Sequence, residues 1–221
     1  MAHSSVPHPA FDALLFDMDG TVLTSIAAAE RVWTQWARRH GLDVDTFLPT
    51  IHGKRAIDTV RDAGVPGIDV EAEAQAILEA EVADVEGIEP ITGAADFLAS
   101  LPRDRWAIVT SAPRRLAERR IEAAGLPLPE NLIAGDDVTR GKPAPDAFQL
   151  GAKRLGVEAA RCLIFEDATA GVQAAEAVGA SVVVVSALHS AATDTPHPSI
   201  PDYRGVSSEV LDDGRLRVHL P

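Results

Sequence analysis

Leu14-Leu15-Phe16-Asp17-Met18-Asp19-Gly20-Thr21 is the stretch that decides the fold of this 221-residue chain. The apolar run Ala13 to Phe16 is too short for a helix and predicts a buried strand. Asp17 then stands at the carboxyl end of that strand, where open α/β sheets bind their ligands. Residues two apart in an extended chain point the same way, so Asp17 and Asp19 can face one point.

Two carboxylates in one site can divide a reaction between them. One can attack a phosphoryl group, because an aspartate carboxylate is a covalent nucleophile in phosphoryl transfer. The other can protonate the leaving oxygen and then take a proton from water. The alternative interpretation is a strand followed by an ordinary acidic turn, and the rest of the chain must decide between the two.

Composition excludes several classes of protein. The net charge is −13, from 20 basic and 33 acidic residues, which argues against binding to nucleic acid and against docking on an anionic membrane. No apolar run approaches the roughly 20 residues of a membrane span.

Residues 1–10 lack the basic region and the apolar region of a signal peptide. We expect them to form a flexible tail. The single cysteine, Cys162, is expected to be a buried strand residue and indicates a cytoplasmic protein.

Residues 25–88 predict helices and no convincing strand. The predicted helices are 26–40, 56–63 and 70–85. From Pro90 onward, strands at 106–110, 132–134, 162–165 and 182–185 alternate with helices at 94–100, 114–124, 144–155 and 171–178. Alternation of this kind is typical of parallel strands joined by crossover helices.

The predicted architecture is therefore α/β. A Rossmann-like parallel sheet with helices on both faces is built from residues 11–24 and 89–221, and a small all-α domain, residues 25–88, is inserted after the first strand. Pro196, Pro198 and Pro201 predict a loop, and residues 216–220 predict a final edge strand.

Polar residues follow the later strands as well. Thr110 and Ser111 end one strand, where hydroxyl and backbone N–H groups suit a phosphate oxygen, although Ser111 could simply cap the next helix. Asp146 is expected to cap the helix that follows the prolines. Glu166 and Asp167 end another strand, and together with Asp17 and Asp19 they would repel each other unless a cation lies among them. Oxygen ligands of this kind favour Mg²⁺.

Lys142 is unusual because the chain avoids lysine. Its 20 basic residues include only three lysines: Lys54, Lys142 and Lys153. A lysine kept between Gly141 and Pro143 is more than a solvated surface charge. A compact ammonium is a natural partner for a carboxylate and a phosphoryl group together.

These four pieces, in this order and spacing, resemble the haloacid dehalogenase-like superfamily. The stretches 33–41, 51–54, 106–111 and 165–168 are similar to its sugar, hexitol, 2-deoxyglucose and glycerol phosphate phosphatases. The resemblance implies that residues 25–88 form a cap, that Asp17 is the nucleophile and that Asp19 is the acid/base. It further implies that Asp17, the Asp19 backbone carbonyl and Asp167 hold Mg²⁺, with Glu166 as a ligand or a support for the ligands. The phosphate-binding positions would be Gly20, Thr110, Ser111 and Lys142.

Selectivity for the substrate is expected to come from the cap. His52, Lys54 and Arg55 stand around a glycine in an otherwise acidic and apolar segment, so His52 and Lys54 are candidates to bind sugar hydroxyls. Arg55 could equally be a solvated residue at a helix start. The expected partner is a small phosphorylated substrate, and the expected assembly is a monomer or a weak homodimer.

Three other activities and one inactive class compete with a phosphatase. Asp19 argues against a dehalogenase, which needs no acid at that position, and the surroundings of Lys54 match a phosphonoacetaldehyde hydrolase poorly. A β-phosphoglucomutase-like mutase shares the motifs and the cap position and stays open. A catalytically inactive binding protein is disfavoured because every charged catalytic position is filled.

Overall fold

A computed structural model of the chain describes residues 9–188 and 196–221. Its strands are β1 (Ala10–Phe11), β2 (Ala13–Phe16), β3 (Leu23–Thr24), β4 (Glu89–Pro90), β5 (Trp106–Val109), β6 (Leu132–Ile133), β7 (Cys162–Glu166), β8 (Ser181–Val185), β9 (Ser199–Ile200), β10 (Ser207–Val210) and β11 (Leu216–His219). Its helices are α1 (Ile26–Arg39), α2 (Val44–Phe47), α3 (Ala56–Asp62), α4 (Val70–Ala83), α5 (Ala94–Ser100), α6 (Arg114–Ala123), α7 (Asp146–Arg154) and α8 (Thr169–Ala177).

The central layer is a six-stranded sheet of order β6-β5-β2-β7-β8-β9. Every neighbouring pair in it is parallel. Strand β2, which Asp17 follows, therefore lies in the middle of the sheet, between β5, which leads to Thr110, and β7, which ends at Glu166. The predicted parallel α/β fold is confirmed.

Strand β2 is buried on both faces because both faces are covered by helices. Leu14 and Phe16 pack in one hydrophobic cluster with side chains of α5 and α6. Ala13 and Leu15 point the other way and pack with α7 and α8. An apolar run without polar alternation is what such a doubly covered strand requires.

Residues 25–88, here called the helical insertion, contain α1 to α4. The chain leaves the core through β3 and returns to it through β4, and these two strands pair antiparallel. This two-stranded ribbon was not predicted from the sequence. The helices pack around Trp33, Trp36 and Phe47, and each large buried side chain contributes about 1.5–3 kcal/mol. The insertion thus has a hydrophobic cluster of its own.

The carboxyl-terminal predictions were partly wrong. Ser199–Ile200, in the proline-rich stretch predicted as a loop, pairs with Val184 and Val185 as the sixth parallel strand. Prolines 198 and 201 are tolerated there because an edge strand needs few N–H donors. Leu216–His219 is a strand as predicted, but it lies between β1 and β10 in a separate antiparallel sheet.

The predicted tail ends earlier than expected. Ala10 pairs with Arg217 as part of β1, whereas residues 1–8 lie outside the described residues. Cys162 is buried in β7 as predicted, and burial raises the pKa of its thiol to about 12. In the part of the chain that the structure describes, every helix is too short or too polar to cross a membrane.

Candidate active site

The carboxyl ends of three adjacent parallel strands bring the predicted residues together. Asp17 follows β2, Thr110 follows β5, and Glu166 is the last residue of β7. The backbone N–H of Asp17 donates to the Phe165 carbonyl at 2.9 Å, which continues the ladder and fixes where the Asp17 side chain starts. All of these side chains are at least nine-tenths buried.

Lys142 joins two of the carboxylates. Its Nζ donates to Asp17 Oδ1 at 2.5 Å, to Glu166 Oε1 at 2.6 Å and to the Val109 carbonyl at 3.1 Å. These three acceptors match the three protons of an ammonium. Burial alone would lower the pKa of Lys142, but the two carboxylates outweigh it and raise that pKa. Lys142 is therefore a buried, fully bonded cation.

Asp17, Glu166 and Asp167 form an acidic cluster. One oxygen from each lies within 4.8 Å of the others, and Lys142 supplies one positive charge against three carboxylates. Burial raises the pKa of Asp17 well above its ordinary value, with only Lys142 acting in the opposite direction. Oxygen donors with excess negative charge suit a hard divalent cation, so the residues fit the predicted Mg²⁺.

Glu166 is the member of this cluster that is already fully engaged. Its Oε2 accepts from the backbone N–H groups of Asp167 and Ala168, at 2.8 and 2.9 Å, and its Oε1 binds Lys142. A Cβ at Gly171 would overlap this carboxylate. The geometry favours Glu166 as the residue that holds Lys142 and orients the Asp167 turn.

Gly20 makes room for Asp167, the third carboxylate of the cluster. Its φ of 85° is in the left-handed region, and a Cβ there would overlap the Asp167 carboxylate. Thr21 Oγ1 donates to Asp167 Oδ1 at 3.3 Å. The Gly-Thr that follows the acid pair thus turns the chain away from the strand and lets Asp167 approach.

Asp19 is not a member of the acidic cluster and has partners of its own. Its Oδ1 accepts from Ser25 Oγ at 2.5 Å and from Arg120 Nη1 at 2.9 Å. Arg120 in turn donates from Nη2 to Glu81 Oε1, at 3.1 Å. Glu81 belongs to α4 of the helical insertion and Arg120 to α6 of the core. A row of charges, buried at Glu81 and Arg120 and partly exposed at Asp19, therefore links the insertion to Asp19.

Sequence reasoning missed Glu81 and Arg120, although a signal was present. Arg120 shares the buried face of α6 with Leu116, Ala117 and Ile121. Glu81 is four residues after Ile77, the other buried position of α4. A charged residue on an apolar helix face is buried only when it is paired. Tyr203 was missed too: its buried hydroxyl has no partner among the described residues, and burial raises its pKa.

Thr110 and Ser111 have different environments. Thr110 Oγ1 is buried and accepts from the Ala112 N–H at 3.0 Å. Ser111 does not cap α6, because Pro113 precedes that helix. Its Oγ instead donates to the Gly53 carbonyl of the insertion at 2.8 Å. Asp146 does not cap α7 either: it is the first residue of that helix and forms an ion pair with Arg140 at 2.8 Å.

The three candidate residues of the insertion all have acidic neighbours. His52 Nε2 lies 3.6 Å from Glu30, and Lys54 Nζ lies 3.1 Å from Asp62. Arg55 binds Asp58 and also donates to the Val138 carbonyl of the core at 3.1 Å. Arg55 thus joins the insertion to the core, so the alternative of a solvated residue was wrong.

A cavity of about 80 Å³ lies between the insertion and the strand ends. Its lining from the core includes Asp17, Asp19, Thr110, Ser111, Arg120 and Asp167, and its lining from the insertion includes His52, Lys54 and Glu81. Most of the predicted site residues therefore border one space, whereas Gly20, Lys142, Glu166 and Arg55 lie outside its lining.

Comparison with known proteins agrees with this arrangement. A sequence model described as haloacid dehalogenase-like hydrolase matches residues 11–179. The chain is 44% identical to hexitol phosphatase A of Escherichia coli strain K12 over 82% of this chain and 84% of that protein. It is 34% identical to validoxylamine A 7′-phosphate phosphatase of Streptomyces hygroscopicus subsp. limoneus, over 82% and 88%.

Solved structures show the same fold. A hydrolase from Pseudomonas syringae superposes with a TM-score of 0.71 and 25% identity, covering 79% of this chain and 84% of that one. The chain belongs to the haloacid dehalogenase-like hydrolase family. The resemblance to this family, which the four motifs predicted, is confirmed. The two relatives named above are phosphatases, in agreement with the predicted class of enzyme.

Proposed function

We propose that this protein is a Mg²⁺-dependent phosphatase that hydrolyses a small phosphomonoester, a sugar or polyol phosphate, through an aspartyl-phosphate at Asp17. The observation that carries the proposal is the position of Asp17: a buried carboxylate at the end of the central strand, bonded to Lys142 and facing Asp167. The names of the relatives, a hexitol phosphatase and a validoxylamine 7′-phosphate phosphatase, support the substrate class.

The first half of the proposed reaction forms the covalent bond. Lys142 holds Oδ1 of Asp17, and we assign Oδ2 to attack the phosphorus atom while the bond to the leaving oxygen breaks. Asp19 gives its proton to that oxygen. Ser25 and Arg120 hold the Asp19 carboxylate in place for this transfer.

The second half releases phosphate. Asp19 takes a proton from the water that attacks the phosphorus atom, the bond from phosphorus to Asp17 breaks, and Asp17 is restored. Gly20, Thr110, Ser111 and Lys142 are assigned to the phosphoryl group. The Thr110 hydroxyl can donate to one of its oxygens, whereas Lys142 and the Ser111 hydroxyl, whose protons already go to other acceptors, would have to exchange one of those contacts for a phosphoryl oxygen. Asp17, Asp167 and the Asp19 carbonyl would hold Mg²⁺, which neutralises the charge of the phosphoryl group when bound.

The helical insertion is proposed to act as the cap over this site. It contributes His52, Lys54 and Glu81 to the cavity, and Ser111 and Arg55 bridge it to the core. A cap in this position excludes water while the acid/base works. We place the enzyme in the cytoplasm because its single cysteine is a free thiol, which fits a reducing compartment.

The proposed function is tested by measuring phosphate release from a panel of hexitol, hexose and glycerol phosphates with Mg²⁺. We expect release from at least one polyol or sugar phosphate at a kcat/KM in the usual enzymatic range of about 10⁴–10⁸ M⁻¹s⁻¹. Release from none of them would contradict the proposal.

Binding of Mg²⁺ can be measured independently of activity, by the thermal stability of the protein. Saturating Mg²⁺ is expected to stabilise the protein by about 2–3 kcal/mol at 100 times its Kd, which is about 5–10 °C in Tm for a chain of this size. Asp167→Asn should remove most of this shift, whereas Asp104→Asn, an exposed control, should keep it. An equal Mg²⁺ shift in both variants would place the metal elsewhere.

Asp19→Asn is expected to impair turnover in a way that depends on the leaving group. Proton transfer contributes about 10²–10⁴-fold, and the loss should be near that size for a hexitol phosphate. A nitrophenyl phosphate, whose leaving group needs little protonation, should lose much less. Steady-state kcat for both substrates measures this, and an equal loss for both would remove Asp19 from the role of acid.

A further inference from the structure

The side chain of Arg55 crosses the boundary between the helical insertion and the core. Its Nε and Nη2 donate to the two oxygens of Asp58, at 2.6 and 3.0 Å, and its Nη1 donates to the Val138 carbonyl at 3.1 Å. Asp58 is on α3, whereas Val138 is in residues 135–142, here called the lysine loop, which leads from β6 to Lys142. Because a guanidinium bound by both carboxylate oxygens has a fixed orientation, Asp58 directs Arg55 onto this loop.

Two glycines of the lysine loop accommodate the stem of Arg55. A Cβ at Gly141 would lie 2.7 Å from Arg55 Nε and 3.0 Å from both Cδ and Cγ, and a Cβ at Gly135 would lie 3.4 Å from Cγ. The φ of Gly141 is not in the left-handed region, so glycine is required there by the approach of Arg55 rather than by the backbone conformation. The next residue is Lys142, so Arg55 contacts the backbone position beside it.

Gly53 brings the same segment of the insertion against two other loops of the site. Its carbonyl accepts from Ser111 Oγ at 2.8 Å, and a Cβ on it would lie 2.8 Å from the Ala168 Cβ. Ser111 is in the loop after β5, and Ala168 is in the loop after β7. The segment 53–55 therefore contacts the loops after β5, β6 and β7, and these contacts exist only while the insertion is seated on the core.

Arg55 is placed to act on the lysine loop and not on the substrate. It lies outside the lining of the cavity that His52 and Lys54 border, and its charge is paired with that of Asp58. Lys142, in contrast, depends on its position, because three acceptors converge on its Nζ within 3.1 Å. A small shift of the lysine loop would lengthen these hydrogen bonds and weaken them.

We propose that Arg55 is a positioning residue for Lys142. Seated on the two glycines, its side chain fixes the lysine loop so that the ammonium reaches the Asp17 carboxylate. The inference rests on the proposed phosphatase function, because it takes Asp17 and Lys142 as catalytic groups. It makes the chemistry depend on contact between the insertion and the core, whatever the leaving group is, whereas a residue that binds the leaving group would affect some substrates and not others.

Arg55→Ala removes both the hydrogen bond to the lysine loop and the stem that lies on the glycines. It should reduce kcat about 10- to 100-fold, the size of effect that a displaced catalytic group produces, and by the same factor for a hexitol phosphate and for nitrophenyl phosphate. KM for both substrates should change about twofold or less. A loss confined to the hexitol phosphate, or a rise in KM alone, would make Arg55 a selectivity residue and overturn the inference.

Gly141→Ala tests the same contact from the side of the loop. The added Cβ would displace the Arg55 side chain and should lower kcat about tenfold in the wild-type background, but about twofold or less in the Arg55→Ala background, because the effects of residues in contact are not additive. Equal factors in both backgrounds would show that the two positions act independently and would overturn the inference.

Arg61→Ala is the matched control. Arg61 also forms an ion pair with Asp58, at 3.1 Å, but its side chain is 55% exposed. The variant should keep the kcat and KM of the wild type. A loss equal to that of Arg55→Ala would trace the effect to Asp58 and α3 rather than to the lysine loop, and would overturn the inference. Melting curves of all variants check folding.

Hydrogen exchange of the amides of residues 138–144 measures the lysine loop without relying on activity. The N–H of Ala144 donates to the Gly141 carbonyl at 2.9 Å. Its exchange should be about tenfold faster or more in Arg55→Ala and unchanged in Arg61→Ala. Unchanged exchange in Arg55→Ala, with an active wild-type enzyme, would overturn this inference alone. Failure of the proposed function is seen separately: wild-type enzyme would release no phosphate even from nitrophenyl phosphate, and the inference would fall with it.

Discussion

Asp17→Asn is expected to abolish turnover of every phosphomonoester, with kcat reduced at least about 10³-fold. The amide keeps the shape of the side chain but is too weak a nucleophile to attack phosphorus. The loss should be independent of the leaving group, because no substrate can bypass the covalent step. This separates Asp17 from Asp19, whose loss is expected to be smaller for good leaving groups.

Asp12→Asn is the matched control for this variant. Asp12 precedes the same central strand at its opposite end, where it forms an ion pair with Arg161 at 2.8 Å. Its loss should cost about 1 kcal/mol or less and leave kcat unchanged. Substantial turnover by Asp17→Asn in a preparation free of wild-type enzyme would rule out the covalent mechanism.

Lys142→Met is expected to have the second-largest effect, on rate and on stability together. Removing the ammonium leaves Asp17 and Glu166 buried without a counter-charge, and breaking a buried ion pair costs about 3–5 kcal/mol. The loss of charge stabilisation beside the phosphoryl group should reduce kcat about 10²–10³-fold. Activity is therefore measured well below the Tm of the variant, with Mg²⁺ present.

Lys142→Arg should restore little of the lost activity. The ammonium donates to three acceptors in a pocket where its side chain is 1% exposed, and a planar guanidinium does not fit three converging bonds. Lys153→Met, on the exposed side of α7, is the control and should behave as wild type. If Lys142→Arg worked at the normal rate, only a positive charge, and not this geometry, would be needed.

The centre of the site could be predicted from the sequence because it depends on strand ends. An apolar run that stops at an acid places Asp17, and parallel strands whose carboxyl ends share one edge bring Thr110 and Glu166 beside it. Lys142 is in a loop, yet the scarcity of lysine in this chain marked it. The local sequence pattern was sufficient to place a site residue wherever that residue directly follows or ends a predicted strand.

Contacts across the helical insertion could not be predicted in the same way. The Glu81–Arg120 pair joins residues 39 apart in the sequence, and it forms only because α4 packs against α6. Ser111 was predicted to bind phosphate or to cap a helix, and Arg55 to contribute to substrate selectivity or to be solvated. Neither prediction included the contacts by which both residues bridge the insertion and the core. The pairing of cations with carboxylates depends on how the helical insertion packs against the core. The hydrophobic periodicity of the sequence contains no information about that packing.

Short strands were the other weak point, for a related reason. Ser199–Ile200 and Leu23–Thr24 are two residues long, and a pair of residues has no periodicity to detect. Each is a strand only because a partner strand offers its backbone groups. Tertiary pairing therefore decided these elements against local propensity.

The covalent mechanism is tested most directly by identifying the residue that becomes phosphorylated during turnover. The enzyme is mixed with substrate and Mg²⁺, quenched in acid during turnover and treated with borohydride, which reduces an acyl phosphate to an alcohol, and its peptides are then analysed by mass spectrometry. We predict reduction at Asp17 alone, and only when substrate is present. Reduction at another carboxylate, or active enzyme in which no residue is ever modified, would contradict it.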